Sequence, residues 1–206
     1  KESIAAGLVS EKQVDEAVRR ILRIKFELGL FKDPYKFSDA QREKAVVFAP
    51  AHLQAAREIA RKSIVLLKNE DKVLPIANGK KIALVGPLQE RAARDGFTFT
   101  HAKGCALTGD VTTGFEEALR NAQTADIIIA VVGEKWNMSG EAKARADISL
   151  PGMQEQLIKE LVATGKPVVV VLMNGRPLTI PWIAEHATAV VEAWLPGTMG
   201  GPAIAD

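Results

Sequence analysis

Val14, Val18, Ile21, Leu22 and Leu28 recur at helical spacing behind Ser10-Glu-Lys-Gln13, a pattern that predicts an amphipathic helix over residues 11–28. The Ser10 hydroxyl can accept an orphan N–H while Gln13 reaches back, which makes a capping box, and Gly29 suits the left-handed residue after the last turn. Residues 31–49, with Asp33-Pro34 and a charged stretch, read as an extended linker. Leu53, Ala56 and Ala60 align on one face of a second helix over residues 51–61, and Ser63-Ile-Val-Leu-Leu67 then switches to a short buried strand.

Downstream, Lys81-Ile-Ala-Leu-Val85 reads as a strand closed by Gly86-Pro87, while residues 88–110 carry no clear period. Phe115, Ala118, Leu119 and Ala122 align on a helix over residues 113–125, and a strand is expected over 126–132. A helix over 151–164 turns Leu157, Ile158, Leu161 and Val162 inward. Strands over 167–173 and 189–194 follow, the latter leading into the Gly-rich start of a helix. Strands apolar throughout their length, alternating with amphipathic helices, predict an α/β fold: a mostly parallel sheet with helices on both faces.

Composition narrows this picture by exclusion. With 47% hydrophobic and 25% charged residues in 206, the chain is neither disordered nor collagen-like. Its longest apolar runs, Ile127–Val132 and Val168–Met173, fall far short of the roughly 20 residues that cross a bilayer, so no membrane partner is expected. A net charge of +2 makes no case for nucleic acid either. The first 62 residues carry the positive excess, on helical faces with acids interspersed, the pattern of a solvated surface. Cys105 is alone, so there is no disulfide framework, and His52, His101 and His186 lack the spacing of metal ligands. The chain opens on Lys1 and stops at Asp206 within what reads as a helix, so it reads as a piece of something longer.

Ligands of open α/β sheets bind beyond the carboxyl ends of the strands, and four such exits can be read, after Leu67, Val85, Val132 and Met173. Lys68-Asn69 and Asn174-Gly-Arg-Pro177 at two of them are read first as turn formers. The exit after Val132 differs, because sixteen residues, Glu134 to Ser149, separate that strand from the next helix. Connections of about 2–6 residues are usual there, and unstructured loops beyond about 12 are usually functional or disordered. This one concentrates Glu134, Trp136, Glu141, Arg145 and Asp147, and an indole beside acids suits a sugar ring, whose apolar face stacks while its hydroxyls take charged partners. The same loop reads equally as a solvated connection whose Trp packs on the body. Trp182 and Trp194 read as packing residues, and Cys105 as a small packed one. No G-x-G-x-x-G, Walker loop or G-x-S-x-G is present, which counts against a flavodoxin-like nucleotide-binding reading.

Taken together, several blocks resemble the family 3 glycoside hydrolases, in particular bacterial β-glucosidases of the periplasmic type. Val14–Phe31 resembles the last helix of that family's N-terminal barrel; Ala60–Asn69 and Leu74-Pro-Ile76 resemble the entry to its second domain. Ser139–Gly152 resembles the loop bearing the catalytic acid, and Asn174-Gly-Arg-Pro177 and Ala193-Trp-Leu-Pro-Gly197 complete the pattern. The resemblance implies residues 1–32 as the closing helix of a TIM-like barrel, 33–50 as a linker, and 51–206 as a C-terminal α/β sandwich domain incomplete at its end.

It also implies a retaining, exo-acting β-glucosidase without metal or cofactor, periplasmic or secreted, acting on a β-linked oligosaccharide or aryl glucoside. The nucleophilic aspartate is then expected in the barrel, and Glu141 matches the general acid/base, with Glu134 at the strand end as its competitor. The resemblance favours Glu141, because the Glu-x-x-x-Arg-x-Asp pattern through Arg145 and Asp147 matches the family there, and those two residues are expected to pair and hold the loop, with Trp136 beside the substrate. β-Xylosidase or N-acetylglucosaminidase activity, or a non-catalytic carbohydrate-binding or docking domain, are the alternatives. One departure stands out: family members carry a longer stretch with a Gly-Ser-Trp segment where Arg94-Asp95 here runs directly into Gly96-Phe97.

Overall fold

The structure is a computed structural model that describes residues 1–88 and 97–206. The chain forms two compact units, Lys1–Ala49 and Pro50–Asp206. The first contains helices α1 (Glu2–Ala5), α2 (Glu11–Glu27) and α3 (Ala40–Val46). Helix α2 starts on the expected capping box, with Ser10 accepting from Gln13 N and the Gln13 side chain accepting from Ser10 N. Its apolar stripe, Val14, Val18, Ile21, Leu22 and Leu28, is exposed. The stretch expected to be an extended linker contains α3, because Asp39 accepts from both Gln41 N and Arg42 N and thereby caps a helix start.

The second unit opens with α4 (Pro50–Ser63), two residues longer than expected at its C-terminal end, and continues with β1 (Val65–Asn69), β2 (Lys81–Val85), β3 (Thr98–Ala102), α5 (Phe115–Thr124) and β4 (Ile127–Gly133). Then come α6 (Gln154–Val162), β5 (Val168–Met173), α7 (Pro181–His186), β6 (Ala189–Glu192) and α8 (Gly200–Ala205). The six strands form one sheet in the order β1-β6-β5-β4-β2-β3. All neighbours are parallel except β1, which runs antiparallel to β6. The α/β sandwich with a mostly parallel sheet is therefore as expected.

Three local readings differ. The strand at residues 63–67 is displaced toward Asn69 and is an exposed edge strand, with both Leu66 and Leu67 more than half exposed. Being antiparallel, it sends its exit to the amino-terminal end of the parallel strands, away from the exits of β2, β4 and β5. There Asn69 closes a turn, accepting from Leu74 N at 3.0 Å and donating to Leu74 O at 2.9 Å. Strand β3 and helix α7 fill stretches for which the chain offered no periodic signal.

Central strands β4 and β5 are buried on both faces, so they carry no polar side chain and most of their positions are β-branched. On one face Val85, Ile128, Ala130, Val132, Val170 and Leu172 meet Ala118 and Ala122 of α5, Leu157, Ile158 and Leu161 of α6 and Ile183 of α7. On the other, Leu84, Val131, Val169 and Val171 pack with Ile64, Leu74, Ile76 and Ile204 around an apolar hollow of about 440 Å³. Connections leave the neighbours β2 and β4 in opposite directions, toward β3 and β5, so the crevice at their carboxyl ends is the switch point of the sheet. The 134–149 connection leaves β4 beside it.

Candidate active site

Strand β4 ends at Gly133, whose φ of +148° and close approach to β5 exclude a side chain, since a Cβ there would overlap the Met173 carbonyl. Gln154, completely buried at the start of α6, fastens both ends of the loop that follows. Its Oε1 accepts from Gly133 N at 2.8 Å, and its Nε2 donates to Gly133 O at 2.8 Å and to Pro151 O at 3.0 Å. Nothing marked this residue in the sequence beyond a polar side chain on the inner face of an amphipathic helix.

Glu134, the first loop residue, is only 2% exposed. Its Oε1 lies 2.5 Å from Arg145 Nη1 and 3.3 Å from Arg176 Nε, so two guanidinium groups from different segments share one carboxylate. Arg145 also donates to Ser149 O at 3.0 Å. Arg176 donates through Nη2 to Met138 O and, at 2.7 Å, to Lys143 O. The expected pairing of Arg145 with Asp147 is not made, because Arg145 points inward to Glu134. Asp147 is exposed and instead accepts from Ser149 N at 2.8 Å; that backbone bond, the Ser149 hydroxyl and the nearby Arg145 charge hold its carboxyl below the usual range.

Between the two carbonyls gripped by Arg176 the chain turns through Ser139–Ala142, and Ala142 adopts φ +55°. Glu141 stands exposed on this tip. Trp136, on the same loop, is 76% exposed and so does not pack on the body as the solvated-loop reading required. The structure thus brings Glu134, Arg145 and Arg176 into one buried cluster and leaves Trp136, Glu141 and Asp147 on the outside of the loop. Asn174-Gly-Arg-Pro177, read as a turn, is the platform beneath it.

A second buried carboxylate, Glu192, lies at the end of β6. It accepts from Asn174 Nδ2 at 3.1 Å and from Trp194 N at 3.0 Å, and burial outweighs both bonds to raise its pKa. Trp182 is half-buried and stacks on His186 with ring centroids 4.2 Å apart. Among the described residues no three His, Cys, Asp or Glu side chains gather as metal ligands would.

This is an α/β sandwich domain that offers an anchored loop, with a carboxylate and an indole facing outward, at the switch point of its sheet. The chain belongs to glycosyl hydrolase family 3, and residues 64–206 match that family's C-terminal domain. It is 35% identical, over 98% of its length, to the periplasmic β-glucosidase of Salmonella typhimurium, of which it covers 33%. It is 34% identical, over its whole length, to a β-xylosidase of Formosa agariphila, again covering 33%. In three dimensions it superimposes on the β-glucosidase from Listeria innocua in complex with isofagomine with a TM-score of 0.83, at 35% identity over all of this chain and 32% of that one.

The chain therefore spans about a third of the length of these relatives. The alignment to the Salmonella protein runs over 252 positions, so that relative carries residues with no counterpart in these 206. Of the Arg94–Phe97 junction noted in the sequence, residues 94–96 lie outside the described residues.

Proposed function

We propose that this chain supplies the general acid/base, Glu141, of a retaining exo-acting β-glucosidase. In this reading residues 1–32 close a barrel domain that carries the nucleophilic aspartate, 33–50 connect the two domains, and 51–206 form the C-terminal domain. The observation that carries it is the contrast between the two loop glutamates. Glu134 is buried and engaged by two arginines, whereas Glu141 is exposed on a tip whose stems are tied down.

Retaining hydrolysis needs two carboxyl groups about 5–5.5 Å apart on opposite sides of the glycosidic bond. The barrel aspartate attacks the anomeric carbon while Glu141 gives its proton to the leaving oxygen. The same Glu141 then takes a proton from the water that releases the glycosyl-enzyme. Trp136 offers an apolar face to the leaving-group sugar of a β-linked oligosaccharide or to the ring of an aryl glucoside. Without the second carboxylate the 206-residue segment is inactive alone, and no metal or cofactor enters. Similarity to a periplasmic β-glucosidase supports a periplasmic or secreted enzyme. Similarity to a β-xylosidase supports that activity as the second reading.

The test replaces Glu141 with Gly in the polypeptide that includes the barrel. kcat/KM should fall steeply on an unactivated β-glucoside and little on a dinitrophenyl β-glucoside, which departs without a proton. Azide should restore part of the lost turnover. Parent-like hydrolysis of the unactivated substrate overturns the assignment, and parallel assays on aryl β-glucoside, β-xyloside and N-acetyl-β-glucosaminide decide the sugar.

A further inference from the structure

Two residues of one turn, Gly175 and Arg176, act on the 134–149 loop from outside it, and a third sets the turn. Asn174 is fully buried and donates to Arg176 O at 2.8 Å, which sets the turn. Gly175 lies so close to Ser139 that no side chain fits between them. Arg176 reaches across the loop, and its Nη2 takes the carbonyls of Met138 and Lys143, one on each side of the segment carrying Glu141. Its Nε lies 3.3 Å from Glu134 Oε1, an ion pair without a hydrogen bond. A single planar group therefore ties both stems of the tip to each other and to the strand end.

We propose that Arg176, seated on Glu134, is the positioning residue that fixes Glu141 for proton transfer; this rests on the acid/base reading given above. The loop lacks helix and strand, so backbone bonds alone do not define where its tip stands. Lys143 N to Gly140 O at 3.2 Å and Met138 N to Lys135 O at 2.9 Å close small turns within it without linking it to the sheet. Backbone bonds join the loop to the body near its two ends, Glu134 N to Met173 O at 2.9 Å and Thr179 N to Ile148 O at 3.0 Å, so the tip itself is held by side chains, and the three partners of the Arg176 side chain all lie within Glu134–Lys143. The apolar core is untouched by them, so releasing Arg176 frees the tip without unfolding the domain. Lysine cannot replace it, because an ammonium is a point charge that lacks the planar fork needed to span two carbonyls and a carboxylate.

The experiment compares Arg176→Lys, Arg176→Ala, Glu141→Gly and Glu141→Gln in the polypeptide that includes the barrel. Misplacing an acid by about 1 Å can cost on the order of 100-fold. Arg176→Lys should therefore lower kcat/KM on an unactivated β-linked glucose disaccharide by about 10- to 100-fold. It should leave kcat/KM on a dinitrophenyl β-glucoside within about 3-fold, since that substrate needs no proton. Hydrogen exchange at the amides of residues 138–143 should quicken in Arg176→Lys and Arg176→Ala and stay parent-like in Glu141→Gln, which adds no glycine to the tip. If Arg176→Ala does not fold, Arg176→Lys alone carries the test. Equal losses on both substrates, or unchanged exchange and rates in Arg176→Lys while Glu141→Gly separates the two substrates, overturn the positioning role. If Glu141→Gly itself fails to separate the substrates, the acid/base reading falls, and that outcome is distinct from the first.

Discussion

Gly175 and Ser139 touch so closely that a methyl group on the glycine would lie 1.8 Å from the serine hydroxyl oxygen and 3.0 Å from its Cβ. Two segments on adjacent strand exits are thereby packed backbone against side chain. Gly175→Ala must push Ser139 away, and the cost expected for such overpacking is about 1–3 kcal/mol. Adding Ser139→Gly to the same chain should return most of it. Urea denaturation of the single and double variants checks this, and equal stability of the single variant and the parent would show that the loop yields freely.

Part of this arrangement is legible in the chain itself. The Ser10–Gln13 box and the stripe of α2 are local signals, complete within a few residues, and the chain follows them. The unbroken Ile127–Val132 and Val168–Met173 runs announce central strands because only a strand covered on both faces needs apolar residues at every position. Strand β3, Thr-Phe-Thr-His-Ala, gives no such signal: it is an edge strand, half exposed, and owes its place to parallel pairing with β2. Helix α7 is six residues long and begins with Pro181, too short for a period to show. Within the site, the loop's unusual length and its glutamates are visible, but spacing pairs Arg145 with Asp147, its neighbour in sequence. Its true partner, Glu134, is shared with Arg176 from another strand exit, and no spacing rule brings those residues together.

Cys105 is 3% exposed, and burial pushes its thiol up to about 11 from an ordinary 9.0. A thiol raised that far carries about 100-fold less thiolate at any pH below both values, and the thiolate is the nucleophile. Thiol reagents at mildly alkaline pH should therefore leave the folded chain unlabelled and label it completely in denaturant. Because Cys105 is the single cysteine, the slow labelling rate reads opening of the sheet face packed by α5 and α6. Rapid labelling of the native chain would contradict the burial.

Glu192 gives the stability a specific pH dependence. Burial raises its folded pKa above the ordinary 4.5 against the bonds from Asn174 and Trp194, so the folded chain holds this proton more tightly than the unfolded one. Its contribution is fully present below about pH 4.5 and is lost as the pH rises through the raised value. Glu192→Gln has no proton to lose. The stability of the parent relative to Glu192→Gln should therefore decrease as the pH is taken from acid to neutral, as read by denaturant titrations at several pH values. A difference that is flat, or that grows toward neutral pH, contradicts the raised pKa.

Trp136 separates a binding role from a folding role. At 76% exposure its indole buries too little surface for its loss to matter to stability, and surface substitutions of this kind stay within about 0.5 kcal/mol. The buried cluster is different, because Glu134 and Arg145 of the loop and Arg176 beneath it are consumed in holding the backbone and their loss moves the tip. Trp136→Ala should therefore leave the thermal midpoint unchanged while weakening the grip on substrate. If the indole stacks equally on substrate and transition state, KM rises with kcat preserved, by about 2- to 13-fold for a contact worth roughly 0.5–1.5 kcal/mol. An aromatic replacement, Trp136→Phe, should restore most of the loss. Unchanged KM in Trp136→Ala on both aryl glucosides and glucose disaccharides would leave this side chain outside the substrate site, and a fall in kcat without a change in KM would assign it to the loop's geometry instead.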